Sequence, residues 1–253
     1  MTVKYVRTFG RNTCLVETRD LGSLVSEVAD RSGYSVFFCN VHMLMLSQDD
    51  PVLAAAMDNA DRVFADSAPV AWLQRRISGE KAKVIPGYKV VLAICDRAAK
   101  NGEKVGFLGS TPGVMSQLVN NLSARFEGLH VVYQSCPPFM QGELVSTRDE
   151  LQAIKKSGIQ WLFVGLGCPK QEKWVAAYAP HLNCNLLAVG AAFDWLAGTT
   201  RKPPNWMEKA GLAWFFRLME NPAKMWRRYM IYNTKFVVAS LKLFTWDKWT
   251  RND

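Results

Sequence analysis

The sequence predicts an α/β fold: a Rossmann-like, largely parallel sheet with helices on both faces, followed by a basic, aromatic, helical C-terminal appendage. Three observations predict it. Short apolar runs alternate with stretches of helical period through most of the first 200 residues. The runs end in small or polar residues (Asn40, Asp66, Gly109-Ser110, Gly165-Leu166-Gly167, Gly190), and in a parallel sheet such ends fall on one edge and build a ligand crevice. Composition then shifts near Thr200–Pro204. From Arg201 to Asp253 there are eleven Lys and Arg against four acids, +7 of the net +9, and five of the nine Trp. The expected organisation is a core over 1–200 and an appendage over 201–253.

Element by element, Val3–Phe9 and Cys14–Glu17 read as a hairpin around Gly10-Arg11-Asn12. Leu21–Arg31 has helical spacing, with Gly33 as its C-cap. Val36–Cys39 is a buried strand stopping at Asn40, and Pro51–Asn59 a helix with Pro in its first turn. Arg62–Ala65 is a strand stopping at Asp66, followed by helices over Val70–Ile77 and Val90–Lys100. Val105–Leu108 is a strand running into Gly109-Ser110-Thr111-Pro112-Gly113 and a helix to Phe126. Leu129–Gln134 leads to Pro137-Pro138, and Leu144–Lys156 is a helix. Trp161–Val164 and Leu186–Val189 complete the sheet.

Hydrophobic residues make up 49 % of the chain, enough for a sizeable core. Six cysteines without a CxxC pair and three scattered histidines fit neither a zinc site nor a disulfide framework, so no metal is expected. Thiols inside apolar strands suit a reducing cytoplasm. The segment MTVKYVRTFGRN has no signal-peptide core, and no run approaches the ~18 apolar residues of a membrane span.

The strand ends supply the candidate chemistry. Asp66 reads either as the N-cap of a helix beginning near Ala68 or as a general base removing a proton from an attacking hydroxyl. Asp194 invites the same comparison and leans to the structural side. The loop Gly109–Gly113 before a helix suits a phosphate, or is a plain tight turn; it is neither Walker A nor GxGxxG. Lys170, Gln171 and Glu172 read as a solvated first helical turn, or, next to Gly167 and Pro169, as ligand contacts by Gln171 and Lys170. In the tail, Trp214, Phe215, Phe216, Leu218 and Met225-Trp226-Arg227-Arg228-Tyr229 interleave rings with cations. That pattern suits an interfacial helix on anionic lipid. A core helix is the plain alternative; nucleic acid is disfavoured because no reading module is present.

The block G-x-G-x-P-K-Q-E-x-W (Gly165 to Trp174) followed by G-A-A-F-D-x-L-A-G (Gly190 to Gly198) resembles the WecG/TagA/CpsF glycosyltransferases, glycosyltransferase family 26. The likeness extends to V-F-A-D (Val63 to Asp66), F-L-G-x-x-P-G-V (Phe107 to Val114) and W-R-R-Y (Trp226 to Tyr229), in order over nearly the whole chain. It implies an inverting, metal-independent transfer, without cofactor, from a UDP-sugar to a saccharide on a polyprenyl diphosphate carrier. The enzyme would lie in the cytoplasm, peripheral on the inner face of the plasma membrane. Carried onto this chain, the resemblance makes Asp66 the base, Asn40 its strand-end asparagine and Gln171 a site glutamine. Gly109, Ser110, Gly113, Gly165, Gly167, Lys170, Gly190 and Asp194 fall to the donor. Arg217, Arg227 and Arg228 fall to the acceptor diphosphate, which a guanidinium fork matches.

Three departures from the family pattern stand near the expected sugars: Phe38-Cys39 before Asn40, Ser67 after Asp66, and Lys89 after Gly87-Tyr88. They lean the expected donor sugar to a hexose such as glucose, in exopolysaccharide synthesis. The alternatives are an N-acetylmannosamine or N-acetylmannosaminuronic acid transferase and a non-catalytic, membrane-associated nucleotide-binding protein. Homo-oligomerisation stays open.

Overall fold

The structure, a computed structural model, describes residues 4–14, 21–138 and 145–249. Its strands are β1 (Tyr5–Thr8), β2 (Arg11–Cys14), β3 (Ser35–Cys39), β4 (Arg62–Ala65), β5 (Lys104–Gly109), β6 (His130–Ser135), β7 (Trp161–Gly165) and β8 (Asn185–Ala188). They form one sheet in the order β1-β2-β4-β3-β8-β7-β5-β6. Every pairing is parallel except the β1–β2 hairpin. This is the predicted α/β class.

Strand alternation sorts the core into two layers. Val36, Phe38, Val105, Phe107, Trp161, Phe163 and Leu187 face one side. They meet α1 (Leu21–Ala29), α5 (Gly87–Asn101), α6 (Pro112–Arg125) and α9 (Ala192–Ala197). Phe37, Cys39, Val63, Ala65, Leu162, Val164, Leu186 and Ala188 face the other. There they meet α2 (Val41–Leu46), α3 (Pro51–Asn59), α4 (Ala68–Ser78), α7 (Arg148–Ser157), α8 (Lys170–Tyr178) and Phe236 of α12 (Pro222–Trp249). Two short helices, α10 (Asn205–Lys209) and α11 (Ala213–Glu220), lead into α12.

Local chemistry explains the well-placed boundaries. Asp50 Oδ1 accepts from the Val52 and Leu53 amides at 3.1 and 3.0 Å, and Pro51 needs no donor, so α3 starts where the sequence says. Thr147 and Glu150 form a capping box that begins α7 at Arg148; Leu144, where that helix was expected to start, lies outside the described residues. The hairpin departs from expectation. Phe9 and Gly10, with φ of +45° and +82°, make a tight two-residue turn that pairs Thr8 with Arg11, so the second strand is Arg11–Cys14. Residues 15–17 lie outside the described residues. Gly33 (φ +81°) bends the chain past the end of α1 at Ala29 rather than capping it.

Sequence periodicity does not reveal α2, which buries Val41, Met43, Leu44 and Met45 on more than one side between sheet and α12. The 28 residues of α12 span about 42 Å. Among the described residues no helix is long and apolar enough to cross a membrane.

Candidate functional site

Neighbouring strands send the chain to opposite faces: β3 to α2, β8 to α9, β7 to α8, β5 to α6. The C-terminal strand edge therefore splits open between them, which is where an α/β sheet binds its ligand. Asn40, Asp66, Gly190, Gly165–Gly167 and Gly109 all stand on that edge, on adjacent strands in the order β3/β4, β8, β7, β5. At about 4.8 Å per strand, the Gly109 loop lies roughly 19 Å from the Asp66 position. A ligand touching both ends must be extended.

Asp66 is not the cap of α4. Ser67 occupies that N-cap position, with its own hydroxyl unpartnered. Instead, Asp66 Oδ1 accepts from the Gly87 amide, the first of α5, at 3.1 Å. Asn40 caps α2 through Oδ1, taking the Met43 amide at 3.2 Å, and its side chain also hydrogen-bonds Asp66. Burial pushes the Asp66 carboxyl up to about 7. The Gly87 bond, Arg217, the Asn40 bond and Arg228 all pull it the other way. A carboxyl poised there is matched to general base work near neutral pH.

Gln171 and Glu172 are buried, at 4 % and 1 % exposure, so the solvated-turn reading fails for both. Gln171 Oε1 accepts from the Gly167 amide at 3.1 Å, and Nε2 donates to Glu172 Oε1 at 2.8 Å. Burial raises Glu172 to about 7 as well. Lys170 opens α8 and is partly exposed.

The glycines divide. A Cβ on Gly109 (φ +123°) would sit 2.5 Å from the Gly165 carbonyl oxygen, and one on Gly165 would meet the Phe193 ring at 2.5 Å. Both spaces are filled by protein, so these two glycines let strands and α9 pack. Gly190 (φ +56°) makes room for the Gln171 amide, 3.3 Å from its absent Cβ. Gly113 and Gly167 face open space. Ser110 holds φ +62°, uncommon for a side-chain-bearing residue. Asp194 lies in the first turn of α9, where its carbonyl takes the Thr199 and Thr200 amides.

The appendage reaches this edge. Arg217 of α11 lies over the Trp195 ring, 5.1 Å from its centroid. Trp195 meets Tyr88 edge-on at 5.6 Å, and the Tyr88 hydroxyl donates to Glu208 of α10 at 3.2 Å. Arg228 turns inward from α12. Burial lowers its pKa, and its charge is felt at Asp66, Glu172, Cys168 and His42. Arg227 is exposed on α12.

Several residues here were missed by sequence reasoning. His42, pushed down to about 3 by burial and by Arg228, packs edge-on to Tyr232 at 4.5 Å. Its only signal was its place two residues after Asn40. Tyr88, Trp195 and Glu208 gave none. Among the described residues eight buried side-chain polar atoms have no hydrogen-bond partner. Five of them, His42 Nδ1, Ser67 Oγ, Glu172 Oε2, Trp195 Nε1 and Arg228 Nε, belong to residues gathered here.

Two curated relatives from Bacillus carry the same name, N-acetylglucosaminyldiphosphoundecaprenol N-acetyl-beta-D-mannosaminyltransferase. The protein from Bacillus spizizenii is 28 % identical over 198 residues, 78 % of this chain and 74 % of its own. That from Bacillus subtilis is 26 % identical over 188 residues, 74 % and 70 %. The crevice that holds Asp66 thus sits in a chain whose residues 9–251 match the family described as Glycosyl transferase WecG/TagA/CpsF, and the chain belongs to that family.

Proposed function

We propose that this glycosyltransferase moves N-acetylmannosamine from a UDP-sugar to N-acetylglucosamine carried on a polyprenyl diphosphate, with inversion at the anomeric carbon. The sugar and acceptor follow the names of both relatives, which favour the N-acetylmannosamine alternative over the hexose lean. The reasons for that lean also weaken in the structure. Cys39 is wholly buried in β3, so its difference from the family pattern changes packing rather than sugar contact. Ser67 is the cap of α4, and Lys89 is exposed.

The observation that carries the mechanism is Asp66: a carboxyl raised to about 7, held by Gly87 and Asn40, within the field of Arg217 and Arg228. An acceptor hydroxyl attacks the anomeric carbon, Asp66 takes its proton, and the bond from that carbon to the UDP oxygen breaks. Negative charge on a diphosphate next to the reacting carbon is met by the two guanidiniums. Gln171 and the Gly167 loop bound the other side of the crevice.

Partial exposure of Trp214 and Phe215, and greater exposure of Trp206, Met219, Trp226, Met230 and Leu241, beside Arg227 and Lys242, supports docking of the appendage on the inner membrane surface. The test is a panel of UDP-sugars with polyprenyl-diphosphate N-acetylglucosamine, read by the mass of the lipid-linked product. UDP-N-acetylmannosamine should be consumed, and Asp66→Asn should lower turnover at least about 1000-fold while UDP still binds. Transfer of glucose alone would restore the hexose reading. UDP binding with no transfer from any donor would favour the non-catalytic one.

A further inference from the structure

We propose that Glu172 is a positioning residue for the transfer, its carboxylate holding the Gln171 amide in one orientation; the proposal rests on the glycosyltransferase reading of this crevice. Glu172 stands in the first turn of α8, where a surface glutamate would favour the helix dipole at no cost. Here it is 1 % exposed instead, where burial disfavours its charge. A buried carboxyl at that position needs a reason beyond the helix.

The reason lies in its partner. A backbone N–H can only donate, and Glu172, once ionised above its raised pKa of about 7, can only accept. Gln171 lies between the two, with the Gly167 amide at 3.1 Å and Glu172 Oε1 at 2.8 Å. Oε1 must therefore face Gly167 and Nε2 must face Glu172. Rotating the amide by half a turn would oppose donor to donor and acceptor to acceptor. Gly190 closes the third side, its missing Cβ only 3.3 and 3.4 Å from Nε2 and Oε1. These bonds use one N–H and one lone pair of Gln171, leaving one of each, in a fixed order, for a substrate. The Cys168 thiol also reaches the Glu172 carboxyl, and Arg228 of α12 is close enough to feel its charge. One buried group thus fixes a core side chain and faces the appendage.

The experiment compares Glu172→Gln, Glu172→Met, Gln171→Ala and the double variant Gln171→Ala/Glu172→Met in full-length protein. Transfer from UDP-N-acetylmannosamine is measured alongside thermal unfolding. Glu172→Gln still offers an oxygen to Gln171 and should stay within about threefold of wild type. Glu172→Met keeps the shape but offers no acceptor; it should lose about 10- to 100-fold in kcat/KM, the scale seen when an orienting partner is removed, with Tm not lowered. In the Gln171→Ala background it should change nothing further.

A Glu172→Met enzyme as active as wild type overturns the proposal. So does one whose loss is the same factor in both backgrounds, because Glu172 would then act without Gln171. Should Glu172→Met fail to fold, Glu172→Asp, which withdraws the carboxylate by one methylene, is read in its place by the same cycle. A wild-type chain that transfers nothing sinks the glycosyltransferase reading and this role with it. An active wild type with additive losses sinks the role alone.

Discussion

Replacing Asp66 by Asn should destroy activity and, above neutral pH, make the protein more stable. Burial raises this carboxyl from 3.8 to about 7, after the Gly87 bond, Arg217, the Asn40 bond and Arg228 have pulled it down. Between those two pH values the folded chain binds a proton that the unfolded chain has released. Stability from this group is therefore full below pH 3.8 and falls as pH rises to about 7. At about 1.36 kcal/mol per pH unit, holding the ionised group in the fold at pH 8 costs about 4 kcal/mol. Asparagine avoids that cost. Its oxygen can keep the Gly87 amide, but its own N–H groups compete with the Asn40 donor, a loss of about 1 kcal/mol.

The net gain at pH 8 is roughly 3 kcal/mol, or about 6–12 °C in Tm for a chain of this size. At pH 4 it should vanish or turn slightly negative. Glu172, raised in the same direction, is present in both proteins and cancels. Urea unfolding of both proteins at pH 4, 6 and 8 checks the sign and the window. A difference that is flat across that range, or a variant less stable than wild type at pH 8, would refute the reasoning.

Two further outcomes follow from the same geometry. The acid limb of kcat/KM should have its midpoint near pH 7, because the base must be ionised to act. Arg217→Met should move that midpoint to higher pH, since Arg217 favours the carboxylate, whereas exposed Arg227→Met should leave it in place; pH–rate profiles of the two variants decide. Among the glycines, Gly109→Ala and Gly165→Ala should each destabilise by about 2–3 kcal/mol or more through contacts of 2.5 Å. Gly113→Ala, in open space in the first turn of α6, should be neutral or gain up to about 1 kcal/mol. If the donor phosphates approach Gly113, the donor KM of that variant rises while its stability does not fall.

The central strands were legible because they are apolar on both sides and stop sharply. Arg62–Ala65 and Pro51–Asn59 match the structure at both ends, since Asp66 and the Asp50–Pro51 pair punctuate them. The convergence of Asn40 with Asp66 was legible too: parallel strands put such ends on one edge whatever their separation in sequence. Burial perpendicular to the sheet was not. Glu172 looks like an ordinary helix-opening acid until α8 lies on the sheet beside Gly167, and Cys39 looks like a strand-end substitution until it proves to point into the core. Gly109 and Gly165 show why a glycine is ambiguous in sequence. The missing side chain admits a neighbour, and only the neighbour's coordinates say whether it is a carbonyl, a ring or a ligand. Phe236, within the basic tail, is 6 % exposed and packs edge-on to Phe9, which the tail's composition does not reveal.

The electrostatics of the crevice depend on charges that are near but not joined. Among the described residues Asp66, Glu172, Arg217 and Arg228 form no ion pair with one another, although each carboxyl feels Arg228. Were a guanidinium to close on Asp66, the carboxylate would be held well below its present range and would lose its power to take a proton. The same contact would spend the fork that a phosphate needs. Arg217 is kept off by lying over Trp195, which Tyr88 and Glu208 tie to α5 and α10. Arg228 is kept off by its position on α12, whose Phe236 is anchored in the core beneath. Separation leaves the acid raised and the cations available at once, and the proposed transfer to a sugar hydroxyl from a nucleoside diphosphate needs both. The cost is borne in stability: two buried carboxyls and a buried guanidinium that the surrounding sheet must offset, which is why a neutral side chain at position 66 should steady the fold it disables.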